Sequence, residues 1–163
     1  MSSSESVENP SKPNYHFLVS TSFFLVPTLY AFMNPPFIFH GFLSYFTTLI
    51  SWNHWRYYSK NSIARQLDLY FSKISFAIYF VTGSVFFLSK PNLFVLAVPS
   101  TYCLLQSYKH SIKLYTENNN KWIYAHMLFH AFVAYTQFLV LYCGKNYLLN
   151  SCNGFSFPIH HPI

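Results

Sequence analysis

Residues 121–143 read KWIYAHMLFHAFVAYTQFLVLYC, an apolar run long enough to cross a bilayer that carries two histidines near its start. A hydrocarbon core about 30 Å thick needs roughly 20 apolar residues at 1.5 Å each, so a run of this length predicts a membrane helix. His126 and His130 are four residues apart and fall on one helical face, one above the other. Ionisable side chains are costly in lipid and point to function wherever they occur there. What these two histidines face is therefore the central question about the chain.

Four further apolar runs precede this one. They cover residues 16–33, 37–55, 67–88 and 92–108, the first interrupted by Pro27 and the fourth by Pro99. Across the 163 residues, 52% are hydrophobic, 22% aromatic and 9% charged, a balance that belongs to a membrane protein. The expected fold is all-α: a polytopic membrane bundle of about five transmembrane helices spanning 16–143. A Ser-rich tail broken by Pro10 and Pro13 (1–15) would precede it, and a mixed tail (144–163) would follow. The first tail lacks the basic segment and cleavage site of a secretory signal and is expected to stay attached. Cys143 and Cys152 either pair on an oxidising side or remain thiols.

The net charge of +6 comes from ten Lys and Arg scattered between apolar runs, which excludes a nucleic-acid surface and favours a topological reading. With five alternating spans, Lys12, Arg56, Lys60, Arg65, Lys109, Lys113 and Lys121 fall on the side of the N-terminus. Only Lys90 and Lys145 fall on the other, and Lys73 lies within a span. The positive-inside rule then makes the N-terminus cytoplasmic and the C-terminus lumenal or extracellular.

On that topology His54 closes the second span, Asp68 opens the third, and His126 and His130 occupy the first turns of the fifth, all toward the cytoplasmic end. Ser51 is three residues before His54, on roughly the same helical face. Asp68 is the one aspartate of the chain. A helix N-terminus favours an acidic residue through its dipole, which is the plainest account of Asp68. Three imidazoles with a fourth position open form a catalytic zinc arrangement, in which the metal lowers the pKa of a bound water to about 7. A carboxylate and a hydroxyl nearby would orient that water or move its proton.

The order Ser51, His54 at the end of one membrane helix, Asp68 at the start of the next, and a late His126-x-x-x-His130 resembles the CREST superfamily of membrane hydrolases. That group includes the alkaline ceramidases, the progestin and adipoQ receptors and the Per1-type proteins that remodel GPI anchors. The resemblance implies zinc on His54, His126 and His130, with Asp68 and Ser51 as the catalytic pair, acting on an amide or ester bond of a membrane lipid. Members usually have seven helices, and their Ser precedes the His by four residues rather than three. A chain two spans shorter would have a smaller lipid cavity or complete it with a second copy in a homodimer. The alternative expectation is a non-catalytic membrane protein, receptor-like or structural, whose polar cluster binds metal or packs helices. A di-iron desaturase would need more clustered histidines than His16, His40, His110, His160 and His161 add. A rhomboid-type protease would need a GxSG-like turn that Gly83 and Ser84 do not supply.

Overall fold

The computed structural model describes residues 15–56, 62–89, 94–117 and 119–153. The expectations for the N-terminal tail, for Lys60 and Lys90, and for His160 and His161 lie outside the described residues. The chain is an all-α bundle with elements α1 (Tyr15–Thr21), α2 (Leu25–Phe32), α3 (Ile38–Arg56), α4 (Ile63–Ser89), α5 (Phe94–Thr116) and α6 (Trp122–Asn153). Three helical segments are long and apolar enough to cross a membrane: Tyr15–Phe32, Ile63–Leu88 and Trp122–Leu149. In lipid, backbone polar groups must be satisfied within the segment, and helices do this. Of the other two long helices, α3 buries Ser44, Thr47, Thr48, Ser51 and His54 on its inner face, and α5 carries Gln106, Lys109, His110 and Lys113 on its exposed one.

The first run is one span made of two helices. A 3₁₀ turn, Ser22–Phe24, joins α1 to α2. Pro27 lacks the N–H that would bond to the Phe23 carbonyl, and its ring crowds that turn, so the irregularity falls before the proline. Hydroxyls take up neighbouring carbonyls: Ser22 donates to Leu18 O at 2.9 Å and Thr28 to Phe24 O at 2.7 Å. Asn34 is extended, and Pro35 and Pro36 begin a short 3₁₀ turn into α3.

Side-chain pairs fix the helix directions. Phe17 meets His126, Ser20 meets His130 and Tyr30 meets Phe138, so α1–α2 and α6 run parallel. His40 meets Thr82 and Ser44 meets Tyr79, so α3 and α4 are antiparallel. Tyr108 meets Phe129 and Tyr115 meets Trp122, which sets α5 antiparallel to α6. α6 packs on α1, α2, α4 and α5, while α3 packs on α1, α2 and α4. The α1–α2 span, α3, α4 and α6 thus form a four-helix bundle with α3 and α6 on its diagonal, and α5 is applied to the outside of α6.

α5 presents a seam of Ala97, Ser100, Leu104, Ser107, Ser111 and Leu114 to α6, all buried. Small residues let membrane helices approach closely, and Ser100 and Ser107 donate back to carbonyls of their own helix. The opposite face of α5 exposes Val95, Val98 and Tyr102.

Three helix boundaries differ from the sequence reading. α4 begins at Ile63, so Asp68 lies in its second turn and no acidic residue occupies the first. The helix dipole, which acts within the first turn, therefore does not account for Asp68. α5 continues to Thr116, eight residues past the end of the fourth apolar run at 108. α6 continues past Cys143 to Asn153, because neither Gly144 nor Lys145 is followed by a proline or a left-handed cap. Among the described residues Cys143 is a free thiol, and the expected alternative of a bond to Cys152 involves a side chain outside the described residues.

Candidate functional site

Ser51 is buried on α3, and its hydroxyl faces the Asp68 carboxylate of α4. Asp68 Oδ1 is itself buried and has no hydrogen-bond partner among the described residues. On α6, the His126 and His130 rings lie side by side with centroids 4.6 Å apart. A hydroxyl holds each of them at Nδ1: Ser20 of α1 is 3.0 Å from His130, and Ser111 of α5 is 3.3 Å from His126. Which partner donates follows from the histidine tautomer.

One contact sets the level of these groups. Gln137 Nε2 donates to Ser75 Oγ at 3.3 Å, joining α6 to α4. The two helices run in the same direction, and stepping back seven residues from each, two turns, brings His130 level with Asp68. Ser20, Ser51, Asp68 and His130 therefore share one layer of the bundle. His54 and His126 are one turn nearer the cytoplasmic end expected from sequence.

His54 is buried at 3% exposure and packs against Trp55, with ring centroids 4.6 Å apart. The Trp55 ring is also 6.0 Å from His126 and stacks on Phe17 at 4.1 Å, and Phe17 meets His126 edge-on at 5.2 Å. His54 and the His126–His130 pair thus approach from diagonal helices with Phe17 and Trp55 packed beside them. Among the described residues, no group of three or more His, Cys, Asp or Glu side chains is arranged to hold a metal ion.

The donor set nevertheless suits a divalent metal in part. An imidazole that donates its Nδ1–H to a neighbouring group presents Nε2 as the ligating atom, which is the usual support for histidine ligands. Two such imidazoles stand together, and the unpartnered Asp68 oxygen is on their level.

Sequence reasoning missed Ser20, Ser111, Phe17 and Trp55. Serines one or two turns apart on a membrane helix are the available signal for Ser111, but helix packing explains the same pattern. Ser20 carries no signal at all, since its partner is 110 residues away. A groove of about 540 Å³ opens on the outer side of α1 and α3 at the level of the site, lined by Leu18, Val19, Leu49, Trp52, Asn53 and Arg56 among others. Comparison with known protein families, curated proteins and solved structures gives no match.

Proposed function

We propose that this chain is a zinc-dependent integral-membrane hydrolase acting on an amide or ester bond of a lipid, similar to the CREST ceramidases. The observation that carries this reading is the shared layer: the Ser51–Asp68 pair and the His126–His130 pair arrive at one depth from different helices. In this reading His126, His130 and His54 hold the zinc, whose contribution is to polarise the scissile carbonyl and acidify water. Asp68, through its unpartnered Oδ1, takes the proton of the attacking water and returns it to the leaving amine or alcohol. Ser51 donates to the carboxylate and fixes its orientation. The apolar groove between α1 and α3 offers a lipid chain a path along the outer wall of the site. The positive-inside pattern puts the site on the cytoplasmic side, and a second copy would supply cavity walls that two further spans provide in seven-helix members.

The test is metal content and turnover of protein purified in detergent without added chelator. About one zinc per chain is expected, lost in His126→Ala and His130→Ala, with release of fatty acid from a lipid amide or ester that Asp68→Asn abolishes. Absence of bound zinc in the intact wild type would end the metal reading.

A second reading, a non-catalytic protein that uses the cluster for helix packing, draws on a different observation. Both α6 imidazoles already bond to hydroxyls of other helices and lie among aromatic rings, as packing groups do. Zinc-free wild-type protein whose His54→Ala variant fails to fold would favour it.

A further inference from the structure

Two polar contacts join α3 to α4 toward the end of the bundle remote from the histidine pair. His40 Nε2 is 3.0 Å from Thr82 Oγ1, and Ser44 Oγ is 2.9 Å from Tyr79 OH. Ser51 and Asp68 form a third on the same interface. Along α4, the stretch from Asp68 to Thr82 rises about 21 Å, roughly two thirds of a 30 Å hydrocarbon core. The interval between the second and third contacts is also polar. Thr47 and Thr48 of α3 and Ser75 of α4 are buried there, and Gln137 reaches in from α6 to bond Ser75.

Unpartnered atoms recur along this line. His40 Nδ1 at one end, Gln137 Oε1 in the interval and Asp68 Oδ1 at the other end are all buried and lack hydrogen-bond partners among the described residues. Buried polar atoms without protein partners are uncommon, and ordered water with two to four polar neighbours is the usual way they are satisfied. Hydroxyls, imidazoles and carboxylates in series inside a membrane bundle are the side chains from which proton relays are built.

We propose that the α3–α4 interface is a proton path, in which ordered waters at His40, Gln137 and Asp68 link the three polar pairs into one hydrogen-bonded chain across the bundle. His40 accepts a proton on one ring nitrogen and releases one from the other. Each hydroxyl or water accepts at its oxygen and passes on a proton of its own, and the Asp68 carboxylate receives the last before releasing it to solvent. One H⁺ crosses, no other bond is made or broken, and no electron moves. The path uses neither His126 nor His130 and does not depend on the hydrolase reading.

The experiment reconstitutes the full chain in phosphatidylcholine vesicles with an entrapped pH dye and drives proton entry with a potassium diffusion potential. Wild type should acidify the lumen at least about fivefold faster than protein-free vesicles, and His40→Phe and Tyr79→Phe should each remove most of that difference. Thr82→Val is the milder variant should His40→Phe aggregate, and it should slow the flux as well. Phe80→Leu, on the exposed face of α4, should leave the flux unchanged. A wild-type rate equal to that of protein-free vesicles overturns the path, as does an undiminished rate in all three interface variants. Zinc measured on the same vesicles keeps the two readings apart. Flux without zinc supports the path and removes the hydrolase, while zinc without flux does the reverse.

Discussion

The two ends of the bundle interior are built differently. Toward the C-terminal part of α6, Ala31, Phe37, Tyr79, Val140 and Leu141 form a buried cluster, flanked by Tyr30, Phe86, Phe87 and Leu148. The approach is so close that a side chain on Gly144 would collide with Phe37 and Phe86. About 15 Å away along α6, the interior consists instead of His54, Ser51, Asp68, His126 and His130. The apolar end gains from dispersion contacts and cannot relax without loss. The polar end is held by hydroxyl bonds to its two α6 histidines, and the buried Asp68 Oδ1 there has no partner among the described residues. The contrast separates a part of the molecule that fixes the bundle from a part that is available for chemistry.

Substitutions can break that comparison. Leu141 is fully buried, and Leu141→Ala should cost about 2–5 kcal/mol, read from unfolding in detergent and SDS mixtures, with any bound zinc retained at low denaturant. If it proves as mild as a surface change, the apolar end does not anchor the bundle. Ser20→Ala should cost about 1 kcal/mol by freeing His130 Nδ1, and it should weaken zinc retention more than Leu141→Ala does. Equal zinc retention in both would remove the distinction between the two ends. Smallest is Lys113→Ala: its ion pair with Glu117 spans 3.9 Å between exposed side chains on α5, and its loss should change stability by less than about 0.5 kcal/mol.

Much of the fold was legible in the chain. Apolar runs locate the helices because lipid leaves backbone groups no partner except the helix itself. The grouping of His126 with His130 follows from helical spacing, and the pairing of Ser51 with Asp68 follows from the alternation of spans across a short connection. Other features escape because they arise from packing between distant segments. Nothing local to Ser20 or Ser111 indicates that each will meet an imidazole. Nothing local to His54 shows that α3 and α6 end up diagonal, with Phe17 and Trp55 packed beside the histidines. The extensions of α5 to Thr116 and α6 to Asn153 escape for another reason. Their residues are polar enough to read as connection, yet they contain no breaker, and a helix continues until something stops it.

The bond between Ser20 and His130 also dictates when the site can exist. α1 is the first described helix to be synthesised and α6 the last, so one half of that contact waits until the 110 positions separating them have been made. Until α6 enters, Ser20, Ser51 and Asp68 face an incomplete bundle, and the hairpin of α3 and α4 must shelter its own carboxylate through Ser51. Arrival of α6 closes the bundle and delivers both histidines in one step. The contact between Ser20 and His130 can form only in chains whose α6 has joined the bundle.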